Sequence, residues 1–328
     1  MDRPTGDLIG VVVNPRALRG PCAALWDEAL ASLRRTRAVE CLHTVGDGDD
    51  GSRIAALIER LRPAVVVASG GDGTVRDVVS VQHGIEPTTA PALAILPLGT
   101  ANNVARSLGL LSLRQHGRAA VEGACAAIVG GNERRIDIGR AGAHVFIGSF
   151  AVGMDGAILA ARNDWRARWR LGNAIGGYPL YLLSCAVNLT RHRAAPGRVR
   201  ADGTLYEGPV YNLLAANTAL YAGEFRFDAD DHSDDGRLDL QIFSSATDYV
   251  RAFVAAWRRH LRHQRGGTVA APARIRRVTR IEIELARPVA SQLDGEQDAH
   301  AAHYEIEVLP QAIRICVPPG TAGGPPAS

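Results

Sequence analysis

The chain has 328 residues, of which 46% are hydrophobic, and a formal net charge of +3 at pH 7. This length is typical of two domains, and the hydrophobic fraction excludes wholesale disorder. The basic residues are all arginines, and so small an excess of positive charge gives no reason to expect a nucleic-acid partner.

Five cysteines are scattered along the chain, at Cys22, Cys41, Cys125, Cys185 and Cys316. An odd number without close pairs is typical of reduced thiols in a cytoplasmic protein rather than of a disulfide framework or a zinc site. The first residues are polar and lead directly into a predicted strand, so no secretion signal is expected. The longest apolar stretch, Ala141–Ala161, contains His144, Asp155 and several glycines, which argues against a membrane span.

Up to about residue 138, apolar runs alternate with helix-like segments, which predicts a parallel, doubly wound α/β domain over 1–138. The predicted strands are Leu8–Val13, Ala38–Thr44, Ala64–Ala68 and Ala92–Pro97. The predicted helices are Ala23–Thr36, Gly51–Arg62, Val75–His83, Ala101–Leu108 and Gly117–Val129.

After Arg134 the pattern changes to alternating polar and apolar residues, which predicts a β-rich, sandwich-like second domain over 139–310. Its predicted strands are Ile136–Arg140, His144–Ala151, Val210–Ala216, Leu238–Phe243, Ile275–Leu285 and Tyr304–Val308. Two predicted helices, Tyr178–Arg191 and Thr247–Gln264, interrupt these strands. The small residues of 320–328 predict a disordered tail.

A glycine-rich turn follows the third predicted strand and consists of Gly70, Gly71, Asp72, Gly73 and Thr74. Glycines let backbone amides approach a ligand, and a strand, turn and helix in this order bind phosphate through those amides. An aspartate there would repel phosphate unless Mg²⁺ lies between them or the carboxylate orients a metal-bound water. The same residues also make an ordinary turn, so this motif alone leaves both interpretations open.

The next predicted strand ends in a similar turn, which contains Gly99, Thr100 and Asn102. Taken alone, Thr100 or Asn102 is best interpreted as the cap of the following helix, although either could contact a phosphate or ribose. Two such turns at the carboxyl ends of successive strands favour a ligand site, because ligands bind at that edge of open α/β sheets.

With further motifs, these turns resemble those of the diacylglycerol kinase-like lipid kinase family, which includes bacterial lipid kinases and the sphingosine and ceramide kinases. The matching segments are Asn14-Pro15, Gly70–Thr74, Pro97–Asn102, Val152–Gly156, Asn217-Thr218 with Gly223, Asp234–Asp239 and Leu293–Glu296. NAD kinases and phosphofructokinases share the first glycine turn, whereas the late Asp-Gly-Glu and the middle Asp-Asp-Gly are more specific. The resemblance implies a first domain of the NAD kinase and phosphofructokinase type, to which roughly 311–319 returns.

The resemblance also implies an ATP site in the first domain and phosphoryl transfer in a cleft between the domains. Such a transfer needs a held nucleotide, Mg²⁺ on its phosphates and an acceptor hydroxyl in line. Asp72 is implied to organise the metal and phosphates, while Thr44 has the alternative of an ordinary strand-end hydroxyl. The residues implied to line the ATP site are Asn14, Arg19, Thr44, Gly70, Gly71, Asp72, Gly73, Thr74, Gly99, Thr100 and Asn102.

Glu296 is implied to be the general base that accepts the proton of the lipid hydroxyl, with Asp294 as the alternative base. Burial beside a lipid-lined cleft would favour proton uptake by this carboxylate. Considered without the family, Asp294-Gly295 favours a plain hairpin turn that leaves Glu296 in solvent.

A structural Mg²⁺ loop is implied at Asp235, with backbone carbonyls of His232 and Arg237 as further ligands. The surrounding carboxylates would repel one another unless a hard cation, solvent or counter-charges compensate them; they are Asp228, Asp230, Asp231 and Asp234. A solvated acidic loop is the alternative.

Three positions depart from the family pattern. The first turn places its glycine at Gly20, two residues late, so Leu18 is expected to alter the amide cradle. Arg19 stands where a lysine can occur, and the two cations are not interchangeable. Asn103 stands where many members have an aspartate, so one charge is missing from the expected metal network.

Two segments combine apolar residues with arginines, as membrane-surface segments do. In Trp165–Arg170, aromatic residues alternate with cations, which favours lipid contact. In Arg251–Arg265, an apolar face with Phe253, Val254, Trp257 and Leu261 is predicted, and packing within its own domain is the favoured interpretation there.

The sequence therefore predicts an ATP- and Mg²⁺-dependent lipid kinase, cytoplasmic and peripherally associated with a membrane, whose substrate is a lipid such as diacylglycerol. One alternative is an NAD kinase-like enzyme with a soluble acceptor. Another is a catalytically silent regulator that binds nucleotide or lipid. A homodimer is compatible with the sequence.

Overall fold

The computed structural model describes residues 8–99, 101–168, 177–228, 232–265 and 276–318. The predictions for Thr100, Trp169, Arg170, Asp230, Asp231 and the 320–328 tail lie outside these residues.

The chain divides into two compact units. The first comprises Met1–Ile138, Ser233–Asp235 and Leu309–Ser328, and the second comprises Gly139–His232 and Gly236–Val308. The short acidic segment Ser233–Asp235 thus belongs to the first unit, which the sequence does not predict.

The first unit is built on a parallel sheet. Its strands β1 to β5 are Leu8–Val13, Ala38–His43, Val65–Gly70, Ala92–Pro97 and Glu133–Ala141, the last of which runs on into the second unit. Its helices α1 to α6 are Pro21–Thr36, Asp50–Leu61, Asp72–His83, Asn103–Ser107, Leu113–His116 and Arg118–Val129. Strands pair in parallel in the order β2-β1-β3-β4, and α1 packs with α6 while α2 packs with α3. This confirms the α/β fold class predicted for this part of the chain.

Strands β3 and β4 are buried along their whole length. Continuous apolar runs are expected in a parallel sheet that helices cover on both faces, because neither face meets water. Helix α3 begins at Asp72, three residues before the predicted start at Val75. The reason is that Gly71 adopts an extended conformation and caps the helix, so Asp72 enters the first turn, where a carboxylate is favoured by the helix dipole.

The second unit is β-rich and antiparallel, as predicted. Strands β6 to β16 are His144–Phe146, Ser149–Gly153, Ala195–Ala201, Thr204–Val210, Asn212–Ala216, Leu220–Tyr221, Phe225–Arg226, Leu238–Phe243, Arg276–Val278, Arg280–Leu293 and Glu296–Cys316. Helices α7 to α9 are Met154–Arg168, Gly177–Arg191 and Ala246–Gln264. The sequence reasoning missed α7, β8, β9 and the short β11 and β12, and within the long β16 it predicted a strand only over Tyr304–Val308.

Alternate residues of the central strands face two different cores. On β10, Leu213 and Ala215 join a cluster formed between strands, with Phe150 and Ile283. Leu214 and Ala216 of the same strand join a second cluster that includes Tyr249 of α9. The central strands are therefore covered on one face by strands and on the other by helices.

None of the described helices is both long and apolar enough to cross a lipid bilayer.

Candidate active site

In the first unit, the predicted nucleotide residues lie at the carboxyl ends of the parallel strands. Asn14 follows β1, and its backbone N–H donates to the Ser69 carbonyl at 3.0 Å. Thr44 follows β2, and its N–H donates to the Val13 carbonyl at 2.9 Å. The Asn14 amide also lies 3.5 Å from the Thr74 hydroxyl in the first turn of α3. The structure thus brings the ends of β1, β2 and β3 to one edge of the sheet, where ligands of such sheets bind.

The two glycine turns contact each other directly. A Cβ on Gly99 would lie 2.4 Å from the Cα of Gly71, and a Cβ on Gly70 would lie 2.3 Å from the Thr74 hydroxyl. The N–H groups of Leu98 and Gly99 both donate to the Gly70 carbonyl, at 2.9 and 3.0 Å. Glycine is required at Gly99 because a side chain there would push the two turns apart, and at Gly70 because a side chain there would collide with Thr74 of the same turn.

Asp72 holds the second turn through its carboxylate. Its Oδ2 accepts hydrogen bonds from the backbone N–H of Asn103 at 3.1 Å and from the Asn103 side-chain amide at 3.3 Å. Its Oδ1 accepts the N–H of Val104 at 3.2 Å. Asp72 therefore stabilises the start of α4, and Asn103 supplies a donor that an aspartate at this position would lack.

Asn102 adopts a left-handed backbone conformation with φ of 49° and is buried. Its amide nitrogen donates to the Gly99 carbonyl at 2.8 Å, whereas its Oδ1 is buried and has no hydrogen-bond partner among the described residues. An oxygen in this condition costs free energy, which a bound ligand or water could recover.

The displaced first turn forms a short 3₁₀ helix, Pro15–Ala17, which the Asn14 side chain caps by accepting the Arg16 N–H at 3.0 Å. Leu18 keeps a negative φ of −82°, and the positive φ of 58° occurs at Gly20, where α1 begins. The late glycine thus supplies the conformation that only glycine adopts easily. Arg19 is exposed beside this turn.

The acidic loop has counter-charges. Arg134 contacts Asp234 at 2.9 Å in the first unit. In the second unit the buried Asp228 lies 3.5 Å from Arg277 and 3.8 Å from His232. Asp235 belongs to the first unit and His232 and Arg237 to the second, so the structural Mg²⁺ loop stays a prediction.

No group of three or more His, Cys, Asp or Glu side chains suited to a metal ion occurs in the described parts of the chain. Mg²⁺ in kinases is usually held by one or two carboxylates together with substrate phosphates and water. Asp72 and the nearby Asn102 Oδ1 are oxygen donors beside the glycine turns, so their chemistry fits a Mg²⁺ ion that arrives with a nucleotide.

In the second unit, Asp294 and Gly295 form a two-residue hairpin between β15 and β16, with φ of 50° and 83°. Positive φ at both central residues defines the turn that best matches the strand twist. Leu293 pairs with Glu296 across it. The hairpin predicted from the residues alone is therefore present, and Glu296 is the first residue after it.

Asp294 is anchored by three backbone amides. The N–H groups of Gly148 and Ser149 donate to its Oδ1 at 2.8 and 2.9 Å, and that of Ile147 donates to its Oδ2 at 3.0 Å. Asn217 binds the same segment by donating to the Ile147 carbonyl at 2.9 Å. These bonds use both carboxylate oxygens of Asp294 to anchor the hairpin, and the alternative assignment of Asp294 as the base stays a prediction.

Glu296 projects from the anchored hairpin, and its side chain is 54% exposed. Its Oε2 lies 3.6 Å from Arg162 on α7, and the adjacent Gln297 accepts a hydrogen bond from Asn163 at 3.2 Å. Burial lowers the pKa of the Arg162 guanidinium, which the charge of Glu296 partly offsets. The burial of Glu296 expected from the sequence is not observed, because the hairpin carries the side chain outward into solvent.

A buried network of polar side chains leads from Asp155 to the hairpin. The carboxylate of Asp155 accepts hydrogen bonds from the Tyr249 hydroxyl at 2.6 Å and from the Asn212 amide at 2.8 Å, and Tyr221 also binds it. Burial raises the pKa of Asp155. The buried Gln292 lies 3.5 Å from the Tyr221 hydroxyl and accepts the N–H of Gly295 at 2.7 Å. The network thus extends from Asp155 to the hairpin.

Sequence reasoning assigned no role to Arg162, Asn163 or Gln292, and it used Asp155 only as part of a motif. One usable signal is Gly156, because a glycine within a helix indicates close backbone packing. A Cβ at that position would lie 2.1 Å from the carbonyl oxygen of Ala290, which is on β15 together with Gln292.

The two units therefore offer different chemistry. The first supplies backbone amides, small residues and the Asp72 carboxylate at the edge of a parallel sheet, which suits a nucleotide with Mg²⁺. The second supplies a rigidly anchored, solvent-accessible carboxylate, which can accept a proton.

Two family models match successive parts of the chain. Residues 9–141 match the diacylglycerol kinase catalytic domain, and residues 148–317 match the YegS C-terminal NAD kinase beta sandwich-like domain. A Pseudomonas aeruginosa protein named "Probable lipid kinase YegS-like" is 29% identical over 296 residues, 89% of each chain. A Bacillus subtilis diacylglycerol kinase is 27% identical over 80% of this chain and 78% of its own.

Among solved structures, a diacylglycerol kinase from Bacillus anthracis has the same fold, with a TM-score of 0.72 and 20% identity over 97% of this chain and 99% of that one. Since the second family match covers more than half of the chain, the family is established. The chain belongs to the diacylglycerol kinase-like family of bacterial lipid kinases, which transfer a phosphoryl group to an alcohol.

Proposed function

We propose that this protein uses ATP and Mg²⁺ to phosphorylate the hydroxyl of a lipid such as diacylglycerol, with Glu296 as the general base. The observation that carries the proposal is the hairpin at Asp294-Gly295, which three backbone amides fix in place. Glu296 follows this hairpin directly, with its side chain exposed to solvent. A catalytic carboxylate needs such positioning, because misplacement by about 1 Å can cost about a hundredfold in rate.

In the proposed reaction the acceptor O–H gives its proton to a carboxylate oxygen of Glu296. The acceptor oxygen forms a bond to the γ-phosphorus, and the bond from that phosphorus to the β,γ-bridging oxygen breaks, which releases ADP. Bound Mg²⁺ would neutralise charge on the phosphates, and Asp72 is the residue that would hold it. Arg162, at 3.6 Å from Glu296, would help to orient that carboxylate toward the acceptor.

In the first unit, the amides of the two glycine turns would hold the ATP phosphates. The close approach of Gly99 to Gly71 supports this role, since it leaves no side chain over the amides of the turn. Asn14 and Thr74, which lie 3.5 Å apart, would bind the same ligand through their side chains.

The test is transfer of label from γ-labelled ATP in mixed micelles that each contain one candidate acceptor. The panel is diacylglycerol, phosphatidylglycerol, ceramide, a sphingoid base and a polyprenol, with NAD as the soluble acceptor. Glu296→Gln and Asp72→Asn are compared with Glu305→Gln, an exposed glutamate on the same strand as Glu296. The proposal expects label in one lipid, lost in the first two variants and kept in the third.

Two results would overturn the proposal. Label in NAD but in no lipid would identify an NAD kinase-like activity. ATP binding, measured by calorimetry, without transfer to any acceptor would identify a catalytically silent regulator.

A further inference from the structure

Helix α9 exposes an apolar stripe that its own unit does not cover. Val250, Val254 and Trp257 are 41%, 41% and 44% exposed, and the half-buried Leu261 continues the row. Spacings of four, three and four residues place these side chains on one side of a helix. Large apolar side chains exposed in a contiguous row mark interaction surfaces more often than single ones do.

A different face of α9 packs into its unit. Tyr249, Ala256 and His260 are buried there, and the ring of Phe253 lies 4.2 Å from that of Tyr249. The sequence grouped Phe253 with Val254, Trp257 and Leu261, and this grouping is wrong. Phe253 lies one residue before Val254 and so points about 100° away from it, toward the core.

Arginines border the exposed stripe on the side away from the core. Arg251, Arg258, Arg262 and Arg265 are exposed, and the helical period places all four next to Val254 and Leu261 rather than next to Tyr249. None of these four forms an ion pair with any described residue. Asp248, near the start of the helix, is the one acidic residue of α9, and it lies on the opposite side from the stripe.

We propose that this face of α9 docks on an anionic lipid bilayer, with Val250, Val254, Trp257 and Leu261 inserted at the level of the headgroups. The arginines would contact anionic headgroups, so both parts of the surface find a partner of matching chemistry. Tryptophan suits this depth because its ring is apolar and its N–H can still reach water or headgroup oxygens.

The pattern of side chains on α9 fits this arrangement. Its apolar stripe and its arginines run along a helix of 19 residues, about 28 Å long. A helix with one apolar side and one basic side lies in the plane of the interface. The core-facing residues of α9 would hold it on its unit while the stripe meets the lipid.

This inference goes beyond the proposed function, because docking requires neither ATP nor an acceptor hydroxyl. It is tested by co-sedimentation of the full chain with vesicles of phosphatidylcholine alone or mixed with phosphatidylglycerol, without nucleotide. We expect binding only to the mixed vesicles, weakened by added NaCl because salt screens the arginines.

Two sets of substitutions divide the apolar from the basic contribution. Val254→Ser with Trp257→Ser should lower the partition coefficient by about tenfold or more, because it removes apolar area from the bilayer. Arg258→Gln with Arg262→Gln should lower it by about fivefold per arginine on mixed vesicles and leave any residual binding to phosphatidylcholine unchanged.

The matched control is Leu182→Ser with Leu183→Ser on α8, an apolar pair of similar exposure; the one arginine of that helix, Arg191, lies eight residues after Leu183. Vesicle binding that is lost in this control and kept in the α9 variants would overturn the proposal. Failure of the wild-type protein to bind either kind of vesicle would also overturn it. So would a dimer, detected by sedimentation velocity, that the α9 substitutions convert to monomer. Binding to mixed vesicles by a protein that phosphorylates no lipid would support docking and reject only the proposed function.

Discussion

The backbone N–H of Gly148 donates to the carboxylate of Asp294 at 2.8 Å, although 146 residues of sequence separate them. The bond belongs to a set of three that joins the hairpin before Glu296 to the segment before β7. The position of the proposed base therefore depends on a tertiary contact.

Asp294→Asn should lower both stability and activity. Asparagine offers one side-chain oxygen, so at least one of the three amides loses its acceptor, and the free energy of unfolding should fall by about 1–3 kcal/mol. Urea unfolding and the lipid kinase assay measure the two effects. A variant with wild-type stability would show that Asp294 does not anchor the hairpin.

Glu296→Gln should separate activity from stability. Its side chain is 54% exposed and its nearest described charge is 3.6 Å away, so the free energy of unfolding should change by less than about 0.5 kcal/mol. Loss of a general base should lower kcat by about 10²–10⁴-fold. Near-normal kcat in this variant would contradict the assignment of the base.

Gly99→Ala and Gly73→Ala should affect the nucleotide site in different ways. A Cβ on Gly99 would meet backbone at 2.4 Å, so this variant should be destabilised and lose ATP affinity. A Cβ on Gly73 would meet nothing within 4 Å, and alanine is favoured over glycine in a helix by up to about 1 kcal/mol. Gly73→Ala should therefore keep or gain stability.

The ATP affinity of Gly73→Ala, measured by calorimetry, shows whether bound ATP occupies the space beside Gly73. Weaker binding by a fully stable Gly73→Ala variant would place the nucleotide against this residue. Unchanged binding would remove Gly73 from the proposed ATP site.

Asn103→Asp should make the protein depend on Mg²⁺. The Asn103 amide donates to Asp72 at 3.3 Å, and an aspartate there would place two carboxylates together. We expect a lower melting temperature in EDTA than the wild type has, with the difference reduced by Mg²⁺. Equal melting temperatures with and without the metal would remove this pair from the proposed Mg²⁺ site.

Tyr249→Phe should destabilise the second unit increasingly as pH rises. Burial raises the pKa of Asp155 above the unfolded value of about 3.9, so the native state holds this proton more tightly. The stability contributed by Asp155 is therefore full below about pH 4 and is lost as pH rises through the native pKa. Removing the Tyr249 hydroxyl takes a donor from the ionised form, which deepens that loss.

Urea unfolding of the wild type and of Tyr249→Phe between about pH 5 and about pH 8 measures the trend. We expect a difference of about 1–3 kcal/mol at the upper end, where Asp155 is most ionised. Tyr206→Phe is the control, because this hydroxyl donates to a carbonyl near the surface. A pH-independent difference for Tyr249→Phe would show that its bond to Asp155 does not involve the charged form.

Most of the first unit could be predicted because its signals are local. The strands Leu8–Val13 and Ala92–Pro97 have the predicted bounds, since a buried parallel strand appears as a continuous apolar run. The start of α3 was misplaced because Gly73 lowers helix propensity in its first turn, while the structure tolerates it there.

The second unit was harder because its decisive contacts join distant residues. Helix α7 was not predicted because it begins at Met154-Asp155-Gly156. Glycine has a low helix propensity, and a buried aspartate is not expected from the sequence. The need for glycine at this position is visible only in the structure, where the Ala290 carbonyl oxygen leaves no room for a Cβ on Gly156. The hairpin at Asp294 was predictable from Asp-Gly, but its three amide donors were not, because nothing in residues 147–149 marks them as partners.

Strand β16 has a consequence for synthesis of the protein. It starts at Glu296 in the second unit, and Ile315 near its end pairs with Leu93 of β4 in the first. On the ribosome, β4 therefore emerges more than 200 residues before its outer neighbour and presents an open, apolar sheet edge meanwhile. We expect the nascent first unit to need a chaperone over this edge until nearly the whole chain has been made.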